Sequence, residues 1–412
     1  MAEVDRDRLI DDLQTLVRTR SITGSEEIVA DWAAGALQEL GVTVEMVRHD
    51  LPGIHADPEW PGEEMSRTSL PVVVGRAGHA GGRRVILSGH LDVVPPGDPA
   101  TWSQDPWGGE VVDGRLYGRG ACDMKGGVAA ILAAVRLLDA RGDLGRLGGE
   151  LQVVLVPSEE DGGQGTLAAI RSGATADMAI ITEPSRLDVI VAHAGAITFR
   201  LTVPGRAAHA SRRREGISAL DKLFVLTQAL AVDESRRNET ETDPLMTALG
   251  LPYPTIVGIV EGGEWASTVL DRVVAYGRYG VRLGQTPAAA EMELRAVVTD
   301  ACAADAFLRD HPATVDITGG RFGSARVASD HPLPVGLAEV VESVTGRRPE
   351  LRGEPYGADM QMFVNHGGTP CVIFGPGDVK FAHSADEFVP LDEVETCARV
   401  LAAWVIRELG GA

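Results

Sequence analysis

Cysteines and long apolar runs are scarce in this sequence, and each shortage excludes a class of protein. The four cysteines, at positions 122, 302, 371 and 397, are scattered without a CxxC pair, which argues against a disulfide framework and a thiolate zinc site. Arg136 interrupts the apolar stretch 128–138, and the N-terminus lacks a basic segment followed by an apolar one. We therefore expect no export signal, no membrane span and a location in the reducing cytoplasm.

Basic residues are also few, since 38 lysines and arginines stand against 59 acidic residues and give a formal net charge of -21. This excess disfavours non-specific binding to nucleic acid or anionic lipid, and mainly indicates solubility. The 412 residues, of which 44% are hydrophobic, suffice for two domains with their own cores.

Helical segments alternate with short Val/Ile/Leu runs, which is typical of an α/β domain with a largely buried sheet. The periodicity predicts helices at about 5–20, 26–40 and 125–141, and a final helix at 391–408. Core strands are predicted at 85–88, 151–156, 178–182 and 371–374. Residues 51–71, which contain four prolines, resemble a long surface loop.

The stretch from about 195 to 318 has a different pattern, with alternating strands, a helix at 217–231 and a polar loop at 233–244. We interpret it as an inserted α+β domain. The predicted organisation is therefore a catalytic domain in two parts, 1–194 and 319–412, with an inserted domain at 195–318.

Acids and histidines follow the predicted core strands and precede one helix. They are His90 and Asp92, Asp123, Glu159 and Glu160, Glu183, and His383. In open α/β sheets, ligands bind outside the carboxyl ends of the strands, so these side chains should converge. Two imidazoles with several carboxylates suit zinc or another divalent ion in a hydrolytic site.

Taken singly, these residues have ordinary explanations. His90 could be a hydrogen-bonded strand-end residue, Asp123 could be a helix N-cap, and Glu159 with Glu160 could form a solvated acidic turn. Their joint placement favours the metal site. Five ligand-type side chains for two cations would let one carboxylate bridge the metals.

The acid beside a ligand indicates the chemistry. If Glu160 binds metal, Glu159 is free to take a proton from water and deliver it to a leaving nitrogen. Asp92 lies on the same side of an extended chain as His90, so its carboxylate could hold the imidazole tautomer.

Six motifs in order resemble the dinuclear zinc exopeptidase and deacylase family that includes acetylornithine deacetylase, succinyl-diaminopimelate desuccinylase, glutamate carboxypeptidase and the aminoacylases. They are "SGHLDVVPPGD", "DGRLYGRGACDMKGG", "VPSEEDGGQGT", "ITEPS", "VPGRAAHAS" and "AHSADEFVP". The likeness spans essentially the whole chain. It implies a mixed-sheet catalytic domain with an inserted lid or dimerisation domain.

The resemblance also assigns roles to residues. It implies that His90, Asp123 and Glu183 bind one metal and that Asp123, Glu160 and His383 bind the other, with Asp123 as the bridge. Zn²⁺ is the expected ion and Co²⁺ an alternative. Glu159 would be the general base, Asp92 would stand behind His90, and the Asp123–Met124 peptide would be cis.

A histidine of the inserted domain matches one that, in the family, reaches the active site of the other subunit and stabilises the oxyanion. It is His209, for which a plain surface role is the alternative. The resemblance thus implies a homodimer through the inserted domain.

One stretch departs from the family pattern. Alignment of "ASTVLDRVVAYGRYGVRLG" puts Ser267 at the usual asparagine and Gly280 at the usual carboxylate-binding arginine. Arg278 and Arg282 flank Gly280 at two-residue spacing, and either could supply the charge or be a solvated strand arginine. Arg321 is a third candidate.

The resulting hypothesis is a metal-dependent amidohydrolase of amino-acid metabolism that acts on an N-acyl amino acid. The alternatives are a dipeptidase or carboxypeptidase with the same metals, and a metal-binding relative that has lost catalysis. Glu159 argues against the last, because a pure binding protein needs no base beside a metal ligand.

Overall fold

The computed structural model describes residues 3–410, and the chain forms two compact units. The first unit comprises the residues up to Val191, then Arg326–Arg352, and those from Asp359 onward. The second comprises Ala192–Ala325 and Gly353–Ala358. The short segment Gly353–Ala358 is thus grouped with the second unit, although the sequence division places it in the last part of the first.

Ten α-helices lie in the described residues. They are α1 (Arg6–Arg18), α2 (Glu27–Glu39), α3 (Leu51–His55), α4 (Gly126–Ala140), α5 (Gln164–Arg171), α6 (Ala219–Glu239), α7 (Pro244–Thr247), α8 (Pro287–Ala304), α9 (Pro332–Thr345) and α10 (Leu391–Leu409).

Sixteen strands lie in the same residues. They are β1 (Thr43–Arg48), β2 (Pro71–Gly78), β3 (Arg84–His90), β4 (Val111–Val112), β5 (Arg115–Tyr117), β6 (Glu150–Val156), β7 (Met178–Ile181), β8 (Val189–His193), β9 (Gly195–Pro204), β10 (Thr255–Gly262), β11 (Arg272–Val281), β12 (Thr314–Phe322), β13 (Ala325–Arg326), β14 (Leu351–Glu354), β15 (Cys371–Ile373) and β16 (Phe388–Pro390).

A nine-stranded mixed sheet has the order β1-β2-β6-β3-β7-β15-β8-β13, with β14 paired to β8. Strands β6, β3, β7 and β15 are parallel, whereas β2 pairs with β6 in the antiparallel sense. Every residue of β7 and β15 is buried, as expected for strands covered on both faces. The predicted α/β fold with a mixed sheet is confirmed, and the four parallel strands present their carboxyl ends at one edge.

The second unit is built on an antiparallel sheet of order β10-β11-β9-β12. Helices α6 and α8 pack on it, with Leu226 of α6, Leu294 of α8 and Phe199 of β9 sharing one apolar core. This is the α+β arrangement expected for the inserted region.

The predicted polar loop at 233–244 is wrong over 233–239, because helix α6 continues to Glu239, and only residues 240–243 form a loop before α7. Asp233 and Arg237 form a buried ion pair at 2.9 Å one helical turn apart. The guanidinium carbon of Arg237 lies 3.9 Å from the centroid of the Tyr279 ring, whose hydroxyl donates to Asp233 at 2.7 Å. The polar residues therefore extend the helix by packing against the sheet, an interaction that a local pattern does not register.

The segment 51–71 also differs from a plain surface loop. It contains the short helix α3, and the side chain of Arg67 is fully buried. Arg67 lies 2.8 Å from Asp161 and 3.3 Å from Glu26, so the segment is anchored inside the first unit.

Among residues 3–410, the structure contains no helix long and apolar enough to cross a membrane.

Candidate metal centre

The polar residues that follow the parallel strands converge at one edge of the large sheet. His90 is the last residue of β3, Glu159 and Glu160 follow β6, and Glu183 follows β7. The parallel register brings these strand ends level, since His90 pairs with Val156. Convergence therefore follows from strand order and direction rather than from nearness in sequence.

His90 lies at the centre of the first group of ligand-type side chains. Its Nε2 is 3.1 Å from Oδ1 of Asp123 and 3.5 Å from Oε1 of Glu183. The ligand-type atoms of His90, Glu159 and Glu183 also lie within 4.8 Å of one another. All but Asp123, which is half-buried, are buried.

His383 belongs to a second group. Its Nε2 is 3.0 Å from Oε2 of Glu160 and 3.4 Å from Oδ2 of Asp123. The two oxygens of Asp123 thus face different histidines, Oδ1 towards His90 and Oδ2 towards His383. This is the geometry that a carboxylate shared by two cations requires.

The ordinary explanations for Asp123 and Glu159 do not hold in the structure. Helix α4 begins at Gly126 after Lys125, and Asp123 lies in the preceding turn rather than at the N-cap. Glu159 is 7% exposed and is not part of a solvated turn. The Asp123–Met124 peptide is cis, as the resemblance implied.

Asp92 contacts the site in a different way from that expected. Nδ1 of His90 is 2.9 Å from the backbone carbonyl oxygen of Asp92, whereas the Asp92 carboxylate is 3.7 Å away. That carboxylate instead accepts hydrogen bonds from the backbone N–H groups of Glu159 and Glu160, at 3.1 and 3.2 Å, and from the Thr23 hydroxyl at 3.0 Å. It therefore fixes the turn that bears both glutamates.

Electrostatics fit the binding of cations here. Burial and the neighbouring Glu183 raise the pKa of Glu159 well above its usual range, and burial and Asp123 do the same to Glu183. Crowded, buried carboxylates repel one another, and divalent cations would offset that repulsion. Imidazole nitrogens and carboxylate oxygens without thiolate suit zinc and similar ions.

Three supporting residues were missed by the sequence reasoning. Asp161 accepts hydrogen bonds from the Ser158 hydroxyl and from the backbone N–H groups of Glu64 and Met65, at 3.3 and 3.2 Å for the latter two. Asp359 is buried, accepts from the Thr166 hydroxyl at 2.5 Å, and has its pKa raised to about 7 by burial.

The third missed residue is Glu387, which is fully buried and accepts hydrogen bonds from the backbone N–H groups of Cys122 and Asp123. It lies inside the motif "AHSADEFVP", which is the only sequence signal that could have found it. Asp161 directly follows Glu160 inside the motif "VPSEEDGGQGT", which is the signal that could have found it. No spacing rule connects Asp359 to the ligands, because it contacts Thr166 from a segment distant in the chain.

His209 and Ser267 lie in the second unit, and the structure brings their segments together. His209 is exposed, and its residue forms an isolated antiparallel bridge with Thr268. The backbone N–H of Ala210 donates to the carbonyl of Ser267 at 2.8 Å. Nδ1 of His209 lies 2.9 Å from the hydroxyl of Ser211, which leaves Nε2 directed away from that contact.

The three arginines considered for a substrate carboxylate have different surroundings within the second unit. Arg278 is exposed on β11, Arg321 is half-buried on β12, and Arg282 lies just beyond β11 at 3.3 Å from Glu293. A Cβ at Gly280 would lie 2.9 Å from the backbone of Tyr253, so this chain has no room there for a larger residue.

The chain is similar to two deacylating enzymes over nearly its whole length, as judged by their names. It is 29% identical over 413 residues to a succinyl-diaminopimelate desuccinylase from Rhodospirillum centenum, covering 96% of each chain. It is 26% identical over 388 residues to an acetylornithine deacetylase from Photorhabdus laumondii, covering 93% of this chain and 90% of the relative.

Solved structures show the same fold. The M20 family metallo-carboxypeptidase Sso-CP2 from Sulfolobus solfataricus superposes with a TM-score of 0.75 at 17% identity, covering 97% of this chain and 98% of the other.

Residues 86–407 match the sequence pattern of Peptidase family M20/M25/M40. This range contains all the proposed metal ligands, from His90 to His383. The resemblance inferred from the six motifs is confirmed. The chain therefore belongs to Peptidase family M20/M25/M40 and is a metal-dependent hydrolase of amide bonds.

Proposed function

We propose that this enzyme is a deacylase that removes the acyl group from an N-acyl amino acid, in the manner of an acetylornithine deacetylase. The observation on which this proposal depends is the buried carboxylate of Glu159, which lies within 4.8 Å of ligand-type atoms of His90 and Glu183. The two similar enzymes named above are deacylases at 26% and 29% identity, which favours a deacylase over a peptidase.

The cluster would hold two divalent ions. Zn²⁺ is the expected ion, and Co²⁺ is the alternative. His90, Asp123 and Glu183 form one proposed ligand set, and Asp123, Glu160 and His383 form the other. Support comes from Asp123, whose two oxygens lie 3.1 and 3.4 Å from the two histidines. When bound, the ions would polarise the scissile carbonyl and acidify a water molecule.

Glu159 is the proposed general base. Its backbone is held by Asp92 at 3.1 Å, while its side chain faces His90 and Glu183. Burial and Glu183 raise the pKa of Glu159, a direction that favours acceptance of a proton from the attacking water. The same group then returns the proton to the amide nitrogen, which leaves as an amine.

Asp92 is a proposed positioning residue with two contacts. Its carbonyl fixes the orientation of the His90 ring, and its carboxylate fixes the backbone of Glu159 and Glu160. Asp92 thereby fixes the position of the proposed ligand His90 relative to the proposed base Glu159.

His209 is the proposed oxyanion donor, supplied to the active site of a second subunit. Its exposed ring in the second unit supports a role at a surface that another chain reaches. Removal of one oxyanion donor costs about 10²- to 10³-fold in turnover. Ser267 lies beside it, and we propose that both contact substrate.

Apolar residues exposed on the second unit support a homodimer through that unit. Strand β10 is an edge strand of its sheet, and Ile256, Ile259 and Val260 on it are more than half exposed. Phe224 of α6 is 58% exposed. An edge strand with exposed aliphatic side chains pairs readily with another strand, and a second copy would cover it.

The dimer can be tested by placing a charge on the edge strand. Val260→Asp should convert the protein to a monomer by light scattering, because a buried unpaired carboxylate opposes association. Ile28→Asp, at an exposed apolar position of α2 in the first unit, is the matched control. A wild-type monomer at working concentrations would contradict the dimer.

Arg278, Arg282 or Arg321 would bind the substrate carboxylate. We further propose that residues 195–318 form the lid or dimerisation domain, which the sequence inserts between the two parts of the catalytic domain.

The four buried, free thiols support a cytoplasmic location.

The activity is tested with N-acetyl amino acids, N-succinyl amino acids and dipeptides, in the presence of zinc or cobalt. Release of free amine should be fastest from an N-acyl amino acid and absent after chelation. Glu159→Gln is the control for contaminating hydrolases. Turnover of dipeptides alone would support the dipeptidase or carboxypeptidase alternative, and metal binding without any turnover would support an inactive relative.

A further inference from the structure

The buried carboxylate of Glu387 contacts the backbone of the proposed bridging ligand. Its Oε1 accepts hydrogen bonds from the N–H groups of Cys122 at 2.9 Å and Asp123 at 3.0 Å. The residue has no exposed surface. A buried carboxylate is retained only when partners compensate for its desolvation, and here the partners belong to the turn that contains Asp123.

The other oxygen of Glu387 pairs with Arg119, which is 2% exposed. The backbone carbonyl of Glu387 accepts from the N–H of Gly118 at 2.9 Å. Strand β16, which begins one residue later, pairs with β5 so that Phe388 lies opposite Tyr117. Backbone, charge and side chain therefore join the segment around Glu387 to the segment that leads into Asp123.

His383 lies only four residues before Glu387, so the same segment supplies a ligand. The side chain of His383 is itself 52% exposed, and its Nε2 contacts the carboxylates of Asp123 and Glu160. Its position relative to Asp123 thus depends on where Glu387 anchors the segment. A purely structural ion pair would need Arg119 alone, and would not require the second oxygen to hold the peptide of Asp123.

We propose that Glu387 is a positioning residue that sets the distance between Asp123 and His383, and thereby the affinity for the ion that these two residues share with Glu160. The inference rests on the ligand sets of the proposed function. Partners that orient metal ligands typically account for 10- to 100-fold in metal affinity, roughly the effect expected on removal.

The experiment measures Co²⁺ binding to the metal-free full-length protein by its visible absorption and by calorimetry. Glu387→Ala should lower the affinity for the ion contacted by His383 by about 10- to 100-fold, and should lower the affinity for the other ion less. Glu387→Gln keeps an acceptor oxygen at the same place and should restore the affinity to within about threefold of wild type. Both are measured below the melting temperature of the variant.

Asp12→Asn is the matched control. Asp12 is also a buried carboxylate of the first unit, paired with Arg136 at 2.8 Å and Arg8 at 3.0 Å, but on helix α1. Its replacement should lower stability without changing either metal affinity. If Glu387→Ala does not fold, Glu387→Asp takes its place, since its carboxylate is one methylene too short to reach the Asp123 peptide.

Two results would overturn the inference. One is that Glu387→Ala, or Glu387→Asp in its place, binds both ions with wild-type affinity. The other is that Glu387→Gln and Glu387→Ala lose metal affinity equally. Failure of the wild-type protein to bind two ions would instead contradict the proposed ligand sets. The two failures are therefore distinguished by the wild-type titration.

Discussion

Replacement of Glu159 by glutamine separates the chemistry of the site from its architecture. The backbone N–H of Glu159 is held by Asp92 at 3.1 Å, and glutamine leaves that hydrogen bond unchanged. Glutamine also has nearly the shape of the glutamate, so the buried position creates no cavity. The variant should therefore fold normally and bind both ions, because the proposed ligand sets exclude Glu159.

The expected loss is confined to turnover. A positioned general base contributes about 10²- to 10⁴-fold, or roughly 3 to 5 kcal/mol of transition-state stabilisation. Asp92 still holds the turn, and no ligand of the proposed sets is changed, so KM should change much less than kcat. A loss of at least about 100-fold in kcat with unchanged metal content is the predicted result.

The assay combines amine release from the best N-acyl substrate with elemental analysis of the same preparation. Glu160→Gln is the contrasting variant, because Glu160 lies 3.0 Å from His383 and its loss should remove an ion as well as activity. A Glu159→Gln enzyme within tenfold of the wild-type rate would show that another group takes the proton.

The remaining predictions concern metals, assembly and pH. Protein prepared without chelator should hold close to two divalent ions per chain, and His90→Ala and His383→Ala should each lose mainly one; zero ions after supply of zinc or cobalt would refute the dinuclear site. Mixed dimers of His209→Ala and Glu159→Gln subunits should regain activity from two nearly inactive parents, because one active site then has both groups intact; demonstrated mixed dimers without activity would exclude action in trans. Burial lowers the pKa of His193 to about 4, below the value of about 6.5 expected in the unfolded chain. The unfolded state therefore takes up the proton first as the pH falls, and stability present above pH 6.5 is lost towards pH 4, by on the order of 3 kcal/mol. Denaturant titrations of His193→Gln should show a correspondingly smaller loss over this range, and an identical pH dependence would contradict the burial argument.

Helices and core strands of the first unit follow from periodicity, because their burial repeats with the geometry of the element itself. Helix α4, predicted at about 125–141, occupies Gly126–Ala140, and β6 ends at Val156 as expected. Where the periodicity is weak, tertiary contacts determine where a helix or strand ends. The last turns of α6 were predicted as a loop because contacts such as that of Asp233 with Tyr279 of the sheet, and that of Arg236 with Glu293 of α8, arise only in the tertiary structure.

The sequence by itself determined the chemistry of the centre, since the residue types at strand ends and the six motifs specify which side chains are present and where along each strand they stand. Only the tertiary structure decided how they are held. The carbonyl of Asp92 rather than its carboxylate contacts His90, and Glu387 contacts the peptide of Asp123 from a segment distant in the chain. The physical reason is that a buried polar group must find its partner wherever the fold supplies one, and such partners leave no periodic trace in the sequence.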